Sequence, residues 1–195
     1  MDSFRLQPFL SLVKYRIAIA VALTTLPGYV MVSHTLSAKA LLVMMGVLLL
    51  ASSATALNQL QERDSDALME RTRNRPLPLK QIRLNHAMII TCTLALSGSL
   101  VLFRYGGLLP MLLGLFNIAW YNGLYTPLKK VTAFAVVPGS LVGAIPPLIG
   151  STAAGASLIS AEILIVAGCI FLWQIPHFWI LQLRYADDYK RGGFP

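Results

Sequence analysis

Residues 39–60 read KALLVMMGVLLLASSATALNQL, and no charged side chain interrupts the chain from Ala40 to Gln61. A helix rises about 1.5 Å per residue, so about 20 such residues cross a hydrocarbon layer of about 30 Å, and the stretch predicts a membrane-spanning helix. Five further segments have the same character: 12–32, 86–103, 108–126, 133–151 and 162–183. Of the 195 residues, 56% are apolar and 12% charged, with a mean hydropathy of +0.66. A soluble domain carries about 25% charged residues, so that class is excluded. The expected fold is all-α, a polytopic transmembrane helix bundle of about six spans forming a single domain over 1–195, with one long polar segment at 61–85 read as a cytoplasmic loop.

The net charge of +8 would suggest nucleic acid in a soluble chain; in a membrane protein it first reports topology. With the N-terminus cytoplasmic, that side holds Arg5, Lys14, Arg16, Arg63, Arg71, Arg73, Arg75, Lys80, Arg83, Lys129, Lys130, Arg184, Lys190 and Arg191, leaving only Lys39 and Arg104 outside. The count favours an inner-membrane protein of bacterial type with its working face toward the cytoplasm, and no nucleic-acid partner. Glu162 falls at the start of the sixth span, where a carboxylate suits the helix dipole. Cys92 and Cys169 lie inside apolar spans without metal-ligand spacing and read as buried small apolar residues. The fifth span is interrupted by Pro138, Gly139, Gly143, Pro146, Pro147 and Gly150, which fits either close helix packing through Gly139 and Gly143 or the lining of a cavity.

The quoted stretch runs out through Asn58-Gln59-Leu60-Gln61-Glu62-Arg63-Asp64-Ser65-Asp66. Asn58, Glu62 and Asp66 are spaced i, i+4, i+8 and share one helix face. An amide and two carboxylates converging there offer hard oxygen ligands for Mg²⁺, whose shell is usually completed by water and phosphate. The alternative is a solvated helix end. The basic run Glu70-Arg71-Thr72-Arg73-Asn74-Arg75-Pro76 serves topology, and beside an acidic helix it also supplies guanidinium forks for phosphate. Asn117, Tyr121 and Tyr125 share a face before Lys129 and Lys130, with Pro127 expected to end that helix. These tyrosines are either interfacial belt residues or donors to a diphosphate. In the sixth span, Trp173, Gln174 and His177 fall within Trp173-Gln174-Ile175-Pro176-His177-Phe178-Trp179, and an intramembrane histidine is a functional candidate. Asp187 and Asp188 then form a second acidic pair on the same membrane side.

These motifs resemble the intramembrane aromatic prenyltransferase superfamily and, within it, the protohaem IX farnesyltransferase branch. The first motif, N-D-x-x-D-x-x-x-D, is similar to Asn58, Gln59, Glu62 and Asp66; the R-x-x-R-P-L run is similar to Thr72-Arg73-Asn74-Arg75-Pro76-Leu77; and the tyrosine-lysine motif is similar to Tyr125 through Lys130. The W-Q-x-P-H-F-W run at 173–179 and the D-D-Y-x-x-x-G-x-P run at 187–195 point to the haem branch, as does Lys14-Tyr15-Arg16. Gln59 stands where the pattern has a carboxylate, and Glu62 where it has Asp. The resemblance also implies about three further transmembrane helices beyond Pro195, so the chain reads as C-terminally truncated relative to a nine-helix fold.

What the resemblance implies is Mg²⁺-dependent transfer of a farnesyl group from farnesyl diphosphate to a vinyl group of haem B. Asn58, Glu62, Asp66, Asp187 and Asp188 would form the catalytic and metal set, holding two Mg²⁺ ions. Arg71, Arg75, Lys129, Lys130 and Tyr125 would bind diphosphate, while Trp173, Gln174 and His177 face the acceptor. His177 fits iron ligation, a propionate contact or proton transfer. Expected partners are the lipid bilayer, a haem A synthase and the missing C-terminal helices. The alternatives are a quinone-precursor prenyltransferase or a non-catalytic transport or assembly protein.

Overall fold

A computed structural model describes residues 6–195, which are helical without strands; Arg5, one of the topogenic cations, lies outside them. Helix α1 (Leu6–Leu12) stops short of Lys14, which takes a left-handed backbone (φ 46°, ψ 50°) before α2 (Tyr15–Leu23). Thr24 donates its hydroxyl to Val21 O at 2.7 Å and joins α2 to α3 (Thr25–Ser33). Pro27 falls in the first turn of α3, where its missing N–H costs little. Ser37 caps α4 (Ala38–Leu68) by accepting from the amide of Ala40. With 31 residues α4 is roughly 46 Å long, so the turns bearing Asn58 to Asp66 reach past the apolar layer. The segment expected as a loop from residue 61 is therefore helical to Leu68.

Helix α5 (Leu84–Gly106) lies along α4 because Gly46 and Gly98 leave room. A Cβ on Gly98 would come 2.8 Å from Leu50, and one on Gly46 2.8 Å from Leu102. Leu50 and Leu102 belong to the main core with Tyr29, Val43, Val47, Ile145 and Ile149. A smaller cluster of Leu12, Ala56, Leu77 and Ala87 pins the irregular chain between α4 and α5.

Helix α6 (Leu108–Ile118) widens into a π-helical segment, Ala119–Tyr125, and closes with α7 (Thr126–Leu128). Pro127 does not end this helix. The wider turn lets it enter α7, and the helix stops at Lys129. Five helices among the described residues are long and apolar enough to cross a membrane. The expected fourth span, 108–126, is instead α6 continued by the π segment.

In α8 (Val136–Ala153), Pro146 leaves the carbonyl of Val142 without its helical partner, and Asn117 Nδ2 donates to it at 3.1 Å. Trp120 Nε1 likewise donates to Pro138 O at 2.8 Å. The tight helix contact is made by Gly150 and Gly28, which sit on the backbone carbonyls of Thr25 and Pro147. Helix α9 (Ala161–Arg184) starts with Glu162 in its first turn, packs against α8 and leads into α10 (Ala186–Arg191). Cys92 and Cys169 are exposed, not buried. In a bilayer the outward faces of α5 and α9 are themselves apolar surroundings, so a small apolar residue there needs no protein cover.

Candidate functional site

Asn58, Glu62 and Asp66 do share one face of α4, and that face opens into a cavity of about 740 Å³. All three side chains are buried, at 1%, 3% and 1% exposure, so their polar atoms depend on protein partners or a bound ligand. Lys129 Nζ lies 2.6 Å from Glu62 Oε1, and Arg75 Nη1 lies 2.6 Å from Asp66 Oδ2. Asp66 Oδ1 accepts no hydrogen bond. Asn58 Oδ1 accepts from Lys14 Nζ at 3.0 Å, and its Nδ2 donates to Thr126 Oγ1 at 3.3 Å. Arg71 also lines the cavity, its guanidinium 5.0 Å from the centre of the Tyr185 ring.

Lys14 is the site residue that spacing alone misses, since its motif reads as topology and as a family resemblance without a role at the site. Its position is a product of the break before α2. Gln59 Nε2 donates to the carbonyls of Ser11 and Leu12, at 2.8 and 2.9 Å, and so caps the end of α1. Gln59 thus points away from the cavity, and two carbonyls there call for a donor that a carboxylate lacks.

Tyr121 and Tyr125 line the cavity with rings stacked at 5.6 Å, and Lys129 Nζ lies 5.6 Å from the Tyr125 centroid. The π segment turns Asn122 inward, where it donates to Ala54 O and to Gln61 Oε1 while Gln61 donates back to Asn122 O. These bonds fix the segment against α4. Lys130 is exposed and does not line the cavity.

On the far wall, Trp173, Gln174, His177 and Phe178 project from α9. His177 stacks on Trp173 at 5.0 Å with an interplanar angle of 13°. Gly139 and Gly143 line the same cavity as receptacles. A Cβ on Gly139 would come 2.5 Å from the Tyr125 ring, and one on Gly143 would collide with the Gln174 amide. Farther in, the walls turn apolar with Val47, Leu50 and Ile149.

Asp187 and Asp188 lie outside the cavity lining. Asp187 is exposed, and Asp188 accepts the backbone amides of Glu70 and Arg71, both at 3.0 Å. The Arg71 amide foremost, with the Glu70 amide and the Arg191 guanidinium, holds the Asp188 carboxyl below its ordinary value. Asp188 thus ties α10 to the chain leaving α4. Beyond α10, Phe194 packs 5.4 Å from Lys129 Nζ and lines the cavity.

No cluster of three or more His, Cys, Asp or Glu is preassembled among the described residues. The donor set nevertheless fits a hard divalent cation: three oxygen-bearing side chains on one face, one buried carboxylate oxygen without a hydrogen-bond donor, and room for phosphate beside them.

Residues 21–195 match the UbiA prenyltransferase family. The protoheme IX farnesyltransferase of Geobacter sulfurreducens is 44% identical over 186 residues, spanning 95% of this chain and 68% of that protein. Its namesake from Oleidesulfovibrio alaskensis is 37% identical, spanning 95% of this chain and 66% of that protein. The chain thus spans about two thirds of the length of these relatives. A UbiA homolog from Archaeoglobus fulgidus, solved bound to GPP and Mg²⁺, superposes with a TM-score of 0.80 at 15% identity, covering 96% of this chain and 66% of that one. A digeranylgeranylglyceryl phosphate synthase superposes equally well at 19% identity, covering 97% and 66%. By sequence over most of its length, and by the course of its helices, the chain belongs to the UbiA prenyltransferase family.

Proposed function

We propose that the chain binds farnesyl diphosphate with its diphosphate among Lys14, Arg71, Arg75 and Lys129, and that the protein transfers the farnesyl group to a vinyl carbon of haem B. The observation that carries this reading is a single cavity with cations and carboxylates at one end and apolar walls at the other. From Asp66 to Val47, α4 runs 19 residues along that cavity, roughly 28 Å, enough for a fifteen-carbon chain plus its diphosphate. The acceptor follows the relatives' name and the aromatic wall of α9.

Asn58, Glu62 and Asp66 would hold Mg²⁺, which when bound neutralises charge on the diphosphate. The chain's own groups do the rest. The allylic C–O bond breaks with its electron pair passing to the diphosphate oxygen, and Lys14, Arg71, Arg75 and Lys129 stabilise that charge. Tyr121 and Tyr125 offer ring faces to the allylic cation until the vinyl π pair forms the new C–C bond. Water then supplies the hydroxyl and releases a proton. Gln174 and His177 face the acceptor. The working face is cytoplasmic, by the distribution of Lys and Arg.

The test incubates membranes carrying the protein with haem B, farnesyl diphosphate and Mg²⁺ and looks for haem O by mass, alongside farnesyl diphosphate binding with and without EDTA. Binding that EDTA abolishes and a haem O product are expected. Binding indifferent to EDTA would sink the metal assignment, and product only from an aromatic quinone precursor would sink the acceptor.

A further inference from the structure

The chain between α4 and α5 divides its cations between two cavities. Arg71 and Arg75 face the one already described. On the other side of α4 lies a cleft of about 720 Å³, lined by Arg63, Ala67, Lys80, Arg83 and His86. Its one carboxylate, Asp64, is held by Arg63 at 2.7 Å. Lys80 and Arg83 have no carboxylate within ion-pair distance among the described residues. The cleft therefore carries uncompensated positive charge.

Its shape is built in. Leu77 is buried in the small apolar cluster, and Gln81 N–H donates to Pro76 O at 2.8 Å, closing a turn with Lys80 in a left-handed backbone at φ 55°. Helix α5 begins at the cleft with no side-chain cap, which adds the positive end of its dipole. Below the cleft, α5 presents Leu84, Met88 and Ile89 outward at 43%, 46% and 62% exposure. The cations of the cleft thus stand directly over an apolar strip, the order in which a bilayer presents its headgroups and acyl chains.

We propose that this cleft is a binding site for the phosphate of an anionic phospholipid, whose acyl chains lie along the outer face of α5. A free phosphate matches the cations but makes no use of the apolar strip, so the charge and the strip together select a lipid. The site is separate from the diphosphate cavity, because α4 stands between Glu62 and Asp66 on one face and Arg63 and Ala67 on another.

Native mass spectrometry of the purified protein with phosphatidylglycerol or phosphatidylcholine tests this. Retention of phosphatidylglycerol about tenfold above phosphatidylcholine is expected, with no displacement by millimolar orthophosphate. Lys80→Ala with Arg83→Ala lowers retention to the phosphatidylcholine level. Ala67→Trp, which fills the cleft and leaves every charge in place, does the same, whereas Lys129→Ala in the other cavity keeps the adduct. Full retention in Ala67→Trp makes the attraction a diffuse basic surface and overturns the site. Loss confined to Lys129→Ala puts the lipid in the first cavity, and displacement by orthophosphate makes the ligand free phosphate; each overturns the assignment.

Discussion

Asp66 carries the sharpest residue-scale expectation, because one of its oxygens holds Arg75 and the other is unpartnered. Asp66→Asn keeps the size and removes the charge, so prenyl transfer measured by product mass falls by about 10²-fold or more, with membrane insertion unchanged. Gln59→Glu is the converse case. It sets a carboxylate against two carbonyls that now receive amide hydrogens, and lowers stability by about 1–3 kcal/mol, read as a lower melting temperature in detergent. The common face of Asn58, Glu62 and Asp66 was legible from spacing, since a regular helix carries i, i+4, i+8 onto one side. The reach of Lys14 was not: it depends on a left-handed residue and on a cap that Gln59 supplies from 47 and 48 residues away.

At the scale of elements, α8 separates two uses of glycine that sequence could not tell apart. Gly150 bears on the α3 backbone, which cannot retreat, so Gly150→Ala overpacks the contact and costs about 1–3 kcal/mol of stability. Gly143 bears on the Gln174 side chain, which can swing. Gly143→Ala therefore leaves the melting temperature nearly unchanged and moves the Gln174 amide, raising KM for the acceptor about tenfold with farnesyl diphosphate affinity preserved. The π segment was equally hidden, because its wider turn arises from Thr126 bonding Tyr121 O and from Asn122 reaching α4. A regular 3.6-residue period over 108–126 carries no sign of either.

For the whole molecule, the link between α10 and the chain after α4 is electrostatic and directional. The Asp188 carboxyl is held below its ordinary value, so its contribution is fully present above the usual carboxylate range and is lost as pH falls through the lowered value. Protection of the Glu70 and Arg71 amides, measured against the intrinsic exchange rate at each pH, should persist through neutral pH and be lost only in acid, while Asp188→Ala should remove it at pH 7. Topology is tested by Arg73→Cys: an impermeant thiol reagent should label it from the cytoplasmic side alone, and labelling from outside would reverse the orientation.

The bond from Asn117 to Val142 O satisfies a broken helix, and together with the bond from Trp120 to Pro138 O it does more. They rivet α6, the π segment and α8 into one stiff shell, on which α9 is hung by its packing on α8. The α9 wall is held differently, through its packing on α8 at one side and through the link from α10 to the chain after α4 at its end. If the cavity takes the substrates proposed above, an opening at α9 would admit a hydrophobic acceptor from the bilayer side, away from the charged end that would hold the donor.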